Sequence, residues 1–394
     1  MRNTIESICL PTAVAVRIDD VGWFEGADER HLGLPSRSGI PRRHVPDDVR
    51  VLHEIGRGLN TKILCNLVLG DWDIHNRLRG VPHLTWNEAG WDAAKAVNAN
   101  RAYFDEVFDL LEGSEYLEYG LHSLEHGYYV NDMYVDGCHY YPPRIKGKCG
   151  EAAREAITPE EMEEIFSLFF EIYNDWGFKK KIKVFAAPCG SRFALTDDCN
   201  RALARIMRRH GIGVWQWRDW SGECVLDDMI FVRSAPCFLE WNAFGIDPAY
   251  IPNVFEDARY RGLVPNFLAH LTNFIHFQPE KNFEYVPAWI DYFKRITSPF
   301  GALIGRDNEQ SASQGVYTSY AKLDTVDGGY RIDLAPVDAV RNEVVEDEFF
   351  VSLRERKLPT VTGGTATVHE TRPDHVIYKI RRNTGADTVG IWFR

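Results

Sequence analysis

The sequence lacks the long apolar runs and paired cysteines that mark membrane proteins and zinc ribbons. No apolar run reaches the ~18 residues expected of a membrane-spanning helix, so we expect no membrane span. Its eight cysteines include no Cys-x-x-Cys pair, which excludes a zinc ribbon. Residues 1–10 have no basic head followed by an apolar core, the pattern of a secretory signal. We therefore expect a cytoplasmic protein whose thiols stay reduced.

Positive charge is also scarce, because 45 Lys and Arg residues stand against 57 Asp and Glu residues, a formal net charge of -12. Binding the phosphates of a nucleic acid needs a basic surface, so we expect no nucleic-acid partner. The hydrophobic content of 45% is ordinary for a globular protein. A chain of 394 residues can hold one large domain and one small domain.

Apolar runs of strand length alternate with longer helical patterns over most of the chain, which predicts an α/β fold. After residue 298 the pattern changes to strand-like segments separated by turn residues, with no helix expected among them. We predict a catalytic domain over residues 1–305 and a small β-rich domain over residues 306–394, with the boundary in the polar stretch 307–315. Residues 127–157, rich in Tyr, Gly and Pro without a clear period, are predicted to be a long loop insertion.

Two pairs of residues could form a metal site, in which some side chains bind the metal ion and another acts as a base beside it. His122 and His126 are four residues apart, so their rings project to one side if the segment is helical. Asp19 and Asp20 directly follow an apolar strand, and catalytic groups collect at that end of parallel strands. One acid can bind the metal while the other acts as a base. The alternatives are two unrelated histidines and a solvent-exposed acidic turn.

These motifs resemble the first two motifs of the NodB-type polysaccharide deacetylases, carbohydrate esterase family 4. The match consists of Ile-Asp-Asp at residues 18–20 and His-Ser-x-x-His at residues 122–126, although Arg17-Ile18 replaces the usual Thr-Phe of the first motif. The resemblance implies a deformed (β/α) barrel over roughly the first three-quarters of the chain. It also implies a divalent metal, most simply Zn²⁺, held by Asp20, His122 and His126.

The later motifs of this family are altered. The third, Arg-x-Pro-x-Gly, is present at residues 186–190 without its arginine, and the fourth, at residues 216–220, lacks its first acid. In the family the arginine orients the catalytic acid and interacts with the lost aspartate. Losing only one member would leave a buried charge unpaired. We therefore interpret Ala186 and Gln216 as a coordinated change, with Arg218 as a candidate replacement cation.

The resemblance also implies catalytic roles. Asp19 would be the base, and His270, in the fifth motif Leu-x-His, would be the acid that protonates the leaving group. The backbone N–H of Cys189 would be the second oxyanion donor beside the metal. His276 is an alternative acid in a similarly apolar setting, but the strand end favours His270.

Several residues near the expected rim are candidate substrate contacts. Aromatic rings stack well on sugar faces, although aromatic clusters also pack in ordinary cores. Asp73 follows the second strand and could equally belong to a turn. The candidates are Asp73, Trp217, Arg218, Asp219 and Trp220.

Together with these residues, the resemblance implies a hydrolase that removes an acetyl or other small acyl group from an amino sugar or related small molecule or glycan. A non-haem iron enzyme could use the same two histidines and one carboxylate. A carbohydrate-binding protein on a barrel that has lost its activity is the third interpretation. The C-terminal β domain is a candidate surface for homo-oligomerisation.

Overall fold

The computed structural model describes residues 4–5, 7–24, 40, 42–81, 92–124, 127–130, 133–136, 158–186, 197–217, 222–235, 245–251 and 265–393. Within these ranges no helix combines the length and apolarity needed to cross a membrane. The strands are β1 (Thr4–Ile5), β2 (Ile8–Cys9), β3 (Thr12–Val21), β4 (Ile63–Val68), β5 (Leu117–Ser123), β6 (Gly127–Val130), β7 (Met133–Asp136), β8 (Val184–Phe185), β9 (Val214–Gln216), β10 (Val225–Leu226), β11 (Met229–Ala235), β12 (Pro265–His270), β13 (Ala302–Ile304), β14 (Lys322–Val326), β15 (Gly329–Asp333), β16 (Glu348–Leu353), β17 (Thr360–Thr362), β18 (Gly364–Thr371), β19 (Val376–Arg382) and β20 (Thr388–Trp392). The α-helices are α1 (Pro46–Leu59), α2 (Ala93–Ala99), α3 (Arg101–Gly113), α4 (Pro159–Trp176), α5 (Asp197–Arg209), α6 (Val286–Ile296), α7 (Asn308–Tyr320) and α8 (Ala335–Asp338).

A parallel sheet forms the centre of the molecule. Its parallel pairings follow the order β11, β12, β3, β4, β5, β8 and β9. Strand β10 is added antiparallel to β11, and β13 pairs in parallel with β3. Because β9 also pairs with β11 in parallel, the series of pairings returns to its first strand. Helices occur between several of these strands along the chain. The parallel strands and the helices between them confirm the α/β class that the alternating pattern predicted.

The two faces of this sheet pack in two separate cores, because successive side chains of a strand point to opposite faces. Val16 and Ile18 of β3 belong to the core that also contains Val51 of α1. Leu64 of β4 belongs to the second core, which includes Val316 of α7. Arg17 pairs with Leu64 in register, so it lies on the α7 side of the sheet. Asp19, two residues further along β3, is expected on the same side.

The C-terminal region forms two antiparallel sheets, as the strand-like segments predict. One has the order β1, β2, β16, β19 and β18, and the other has the order β14, β15, β20 and β17. The first includes two strands from the N-terminus, since Ile8 of β2 pairs with Leu353 of β16. The domain division at residue 305 stays a prediction, but the N-terminal strands share a sheet with the C-terminal region.

The expectation of a helix-free polar boundary at residues 307–315 is wrong, because α7 begins there and most of it is buried. Its polar side chains bind buried backbone groups instead of water. The amide of Gln314 donates to the Pro11 carbonyl over 2.9 Å and accepts from the Phe350 N–H over 2.8 Å. Thr318 also donates to the Pro11 carbonyl. A helix buried in this way has no apolar stripe that its sequence could reveal.

The predicted long loop at residues 127–157 is partly wrong as well. Strands β6 and β7 pair antiparallel within it, with Tyr129 opposite Tyr134. Both strands contain Tyr and Val, which are enriched in β-strands. The remainder, residues 137–157, lies outside the described residues.

A buried carboxylate, Asp48, anchors the segment before α1 to the segment after β12. It accepts two hydrogen bonds from Arg42 at 2.8 and 2.9 Å, one contact from His44 Nδ1 at 2.9 Å and one from Asn282 at 2.7 Å. Arg42 also donates to the His276 carbonyl over 2.8 Å. Burial alone would raise the pKa of Asp48, but the bonds from Arg42 and His44 lower it to about 2.

We expect Asp48→Asn to reduce stability in a pH-dependent way. The pKa of Asp48 is about 2 in the folded protein, against an ordinary value of 3.8 for an aspartate carboxyl group. Its ionisation therefore stabilises the fold above pH 3.8 and loses that effect as the pH falls through 2. The difference corresponds to about 2 kcal/mol. Urea unfolding from pH 2 to pH 6 should show the gap between wild type and variant closing in acid.

The matched control is Asp105→Asn, which removes an exposed carboxylate paired with Arg101. It should leave the pH dependence of the unfolding free energy close to that of the wild type, because exposed pairs contribute little. A gap for Asp48→Asn that stays constant across this pH range would show that its charge does not stabilise the fold.

Candidate functional site

A β-bulge at the end of β3 brings both acids to one side. Ile18 pairs with Cys65 and Val21 with Leu67, so β3 uses one residue more than β4 over this interval. Asp20 lies within it and has a φ of 64°, in the left-handed region. In a regular strand, adjacent side chains point to opposite faces, and an extra residue changes that alternation. Asp19 and Asp20 can therefore face the same site.

A second bulge positions His122. Leu67 pairs with Leu121 and Val68 with Ser123, so β5 uses one residue more than β4 at His122. His122 is thus a strand residue, so the helical geometry that would bring its ring to the side of His126 does not hold at this position. The strand hydrogen bonding continues past it, since the Leu69 N–H donates to the Ser123 carbonyl. His126 lies outside the described residues.

The ring of His122 is oriented by the carbonyl of Ala186. Its Nδ1 donates a proton to that oxygen, while Nε2 lies 3.3 Å from Oδ1 of Asp20. In the neutral ring with a proton on Nδ1, Nε2 is an acceptor, and a carboxylate oxygen is also an acceptor. A proton or a cation shared by the two groups makes this contact favourable. Backbone hydrogen bonds orient metal-binding histidines in the same way, so Asp20 and His122 fit a divalent cation.

His270 approaches Asp20 from the neighbouring strand. It ends β12 directly beside Asp19 in register, and its Nε2 lies 4.0 Å from Oδ2 of Asp20. His276 lies instead at the Asp48 anchor, where its Nδ1 accepts a hydrogen bond from the Gln278 N–H over 3.0 Å. Of the two histidines, the structure therefore brings His270 to the acids.

Asp19 forms a buried ion pair with Arg17. The guanidinium donates through Nε to Oδ1 and through Nη2 to Oδ2, both over 2.7 Å, and Asn66 donates to Oδ1 over 2.6 Å. Burial alone would raise the pKa of Asp19, but the charges of Arg17, His122 and His270 and the bond from Arg17 hold it below its usual value. Asp19 is therefore a carboxylate at neutral pH. The cation beside it is Arg17, whereas Arg218 lies outside the described residues.

Gln216 is hydrogen-bonded to α7. Its amide donates to Oδ1 of Asn308 over 2.6 Å, and Asn308 donates through its backbone and side chain to Glu118 over 2.8 and 2.7 Å. Burial and the charge of Asp307 raise the pKa of Glu118 to about 7. An amide suits this position because it can donate to Asn308, which an ionised aspartate cannot do.

The remaining predicted contacts are only partly placed. Asp73 is buried and accepts from the backbone N–H groups of His75 and Leu78 over 3.1 and 2.8 Å, so it is a turn residue, the alternative that the sequence left open. Trp217 stacks on Trp215 with ring centroids 5.1 Å apart. The candidates that lie outside the described residues are Cys189, Arg218, Asp219 and Trp220.

Sequence reasoning missed Arg17, Asn66 and Gly120 as parts of the site. A Cβ on Gly120 would lie 1.9 Å from Oδ1 of Asn66, so glycine leaves the space that the amide needs to reach Asp19. The signal was a polar residue inside an apolar strand, since Asn66 lies within Ile-Leu-Cys-Asn-Leu-Val and Arg17 follows Ala-Val-Ala-Val. Buried polar residues are uncommon and usually have partners.

Among the described residues, no three His, Cys, Asp or Glu side chains form a group that could hold a metal ion. Asp20 and His122 supply two of the three groups expected from the sequence, and the third, His126, is outside those residues.

Comparison with known proteins shows no family for this chain. No protein-family model and no curated protein matches it. Among solved structures it is similar to an endogalactoceramidase, at 12% identity and a TM-score of 0.28, over 99% of this chain and 97% of the other. An α-fucosidase of Thermotoga maritima is similar at 11% identity and a TM-score of 0.26, over 75% and 70% of the two chains.

We expect Gly120→Ala to destabilise the protein by about 1–3 kcal/mol, because the new methyl group overlaps Asn66. Guanidinium unfolding would measure this cost. Adding Asn66→Ala should recover part of it, since the two positions share one space and their effects should not add.

Gly113→Ala is the matched control, because a Cβ there has no neighbour within 4 Å. It should leave the unfolding free energy nearly unchanged. Equal stability of the Gly120→Ala and Gly113→Ala proteins would contradict the close contact with Asn66.

Proposed function

We propose that this protein is a metal-dependent hydrolase that removes an acetyl or other small acyl group from an N-acylated or O-acylated amino sugar or a related small molecule. One observation carries the proposal. Asp20 has His122 Nε2 at 3.3 Å and His270 Nε2 at 4.0 Å, while Arg17 binds both oxygens of the adjacent Asp19. The site thus contains two ionisable carboxylates in different surroundings, as a division between metal binding and base catalysis requires.

The location of the site supports the same proposal. Asp19 and His270 end neighbouring parallel strands, and His122 ends a third strand of the same sheet. Catalytic residues collect at these strand ends in (β/α) barrels. The cyclic series of parallel pairings is consistent with the deformed barrel that the resemblance to the NodB-type deacetylases implies.

Asp20 and His122 would hold the metal, with His126 as the third group expected from the second motif. When bound, Zn²⁺ supplies Lewis acidity, which polarises a carbonyl group and lowers the pKa of water. The carbonyl of Ala186 keeps the proton of His122 on Nδ1, so that Nε2 faces Asp20.

Asp19 and His270, which lie beside Asp20, would transfer the protons of the hydrolysis. Asp19, kept ionised by Arg17, accepts a proton from the water that attacks the acyl carbon. His270 donates a proton to the amine or alcohol that leaves. Each such transfer typically contributes about 10²–10⁴-fold to the rate.

The alternatives predict different behaviour. An iron oxygenase needs oxygen and does not need a second carboxylate, so the Arg17–Asp19 pair favours hydrolysis. A binding protein would keep its affinity for an amino sugar when Asp19 is changed.

We expect Asp19→Asn and Asp20→Asn to fail in different ways. Asp20→Asn should weaken Zn²⁺ binding in calorimetry, because it removes a charged metal-binding group. Asp19→Asn should keep Zn²⁺ binding and lower kcat by about 10²-fold or more, because it removes the base. The assay is anaerobic release of acetate from N-acetylglucosamine, a nucleotide-linked N-acetyl amino sugar and an O-acetyl ester.

Variants of His270 and His276 form a matched pair that tests which histidine is the acid. His270→Gln should lower kcat with little change in Zn²⁺ affinity, whereas His276→Gln should leave kcat near the wild-type value. If zinc-loaded wild-type protein releases no acetate from any of these three substrates, the proposed deacetylation is wrong.

A further inference from the structure

We propose that Arg17 is a positioning residue that assigns different roles to the two adjacent carboxylates of the site. By binding both oxygens of Asp19, it fixes that carboxylate as the base and leaves Asp20 to the metal. This inference rests on the proposed hydrolytic function. Arg17 is neither one of the two acids nor one of the histidines of the site.

The geometry of the pair gives Arg17 control over the plane of the Asp19 carboxylate. Its Nε and Nη2 atoms each lie 2.7 Å from a different oxygen of Asp19. Such a two-pronged contact fixes orientation as well as distance, because the guanidinium is planar and its donors are rigidly spaced. Asn66 adds a third donor at 2.6 Å on Oδ1. Three donors thus act on one carboxylate.

The β-bulge at the end of β3 is the reason that the Asp19 carboxylate has to be held in one orientation. It places two neighbouring acids on one side of β3, and both are buried, at 5% and 2% exposure. Two like charges in such a place disfavour each other's ionisation. Arg17 neutralises one of them, while Asp20 faces His122 and His270. Without Arg17, either carboxylate could turn toward the histidines, and the base would lose its fixed position.

The position of Arg17 explains how the site functions with alanine at residue 186. Val184 belongs to the core on the α7 side and Phe185 to the opposite core, so the Ala186 side chain faces the α7 side, as Arg17 does. Ala186 is completely buried and its carbonyl already orients His122. A small side chain there leaves room on the side of the sheet on which Arg17 also lies.

Four variants test the proposal: Arg17→Lys, Arg17→Met, Arg17→Thr, and Arg17→Thr combined with Ala186→Arg. We expect Arg17→Met to lower kcat by about 10²-fold, as a misplaced catalytic group does. The KM for the best of the three acetylated substrates and the Zn²⁺ affinity should change less than threefold. Arg17→Lys should recover less than tenfold in kcat, because an ammonium group cannot bind both oxygens in a planar fork. The double variant should exceed Arg17→Thr alone by at least tenfold.

Arg382→Met is the matched control for the loss of a buried, paired arginine. Arg382 is paired with Asp338 at 2.7 Å and Asp347 at 3.1 Å in the C-terminal region. The Arg382→Met substitution should lower thermal stability without changing kcat per folded molecule. Wild-type kcat in Arg17→Met, or a fall that only matches its loss of folded protein or bound zinc, would overturn the proposal.

A crystal structure of the Arg17→Lys protein separates this proposal from the proposed function, because it needs no substrate. We expect the plane of the Asp19 carboxylate to turn while the Asp20–His122 contact stays in place. An unchanged Asp19 carboxylate would overturn the positioning role even if the wild type is an active deacetylase. A turned carboxylate would support that role even if none of the three substrates is hydrolysed.

Discussion

The buried pair of Asp19 and Arg17 is the interaction on which the rest of the site depends. An ionised carboxylate that leaves water loses several kcal/mol of solvation, and only nearby cations or donors restore that loss. Here two adjacent acids of β3 are buried together, so both carboxylates need nearby cations or hydrogen-bond donors. Arg17 and Asn66 surround the first acid, and His122 and His270 approach the second. Each acid thus has its own surroundings and its own chemistry.

The fold supports this separation through irregularities at the strand ends. The bulge at Asp20 turns both acids to one side, and the bulge at His122 brings the ring to meet them. Beneath the site, α7 closes the same face of the sheet with polar side chains that bind backbone groups. Gln216 joins α7 to this polar interior through Asn308. The C-terminal region is therefore hydrogen-bonded to β9 through Asn308 and Gln216.

The sequence predicted the parts of this arrangement that depend on local pattern. The alternation of strand-length apolar runs with helical patterns predicted the α/β class, and the parallel sheet confirms it. Asp19, Asp20 and His270 could be chosen because they follow or end apolar runs, and His122 could be chosen from its spacing with His126. Bulges could not be predicted, because they depend on the register between strands that are distant in sequence. Helix α7 was missed because its polar residues are satisfied by backbone groups of other elements.

In the proposed site, Asp20 and His122 share a divalent metal while Asp19 stays paired with Arg17. Crystals grown with Zn²⁺, measured above and below the zinc absorption edge, test it most directly. We predict one anomalous peak within bonding distance of an Asp20 carboxylate oxygen and of His122 Nε2, with the Arg17–Asp19 pair intact. A peak on Asp19, or none at Asp20 and His122 in crystals saturated with zinc, would contradict the account.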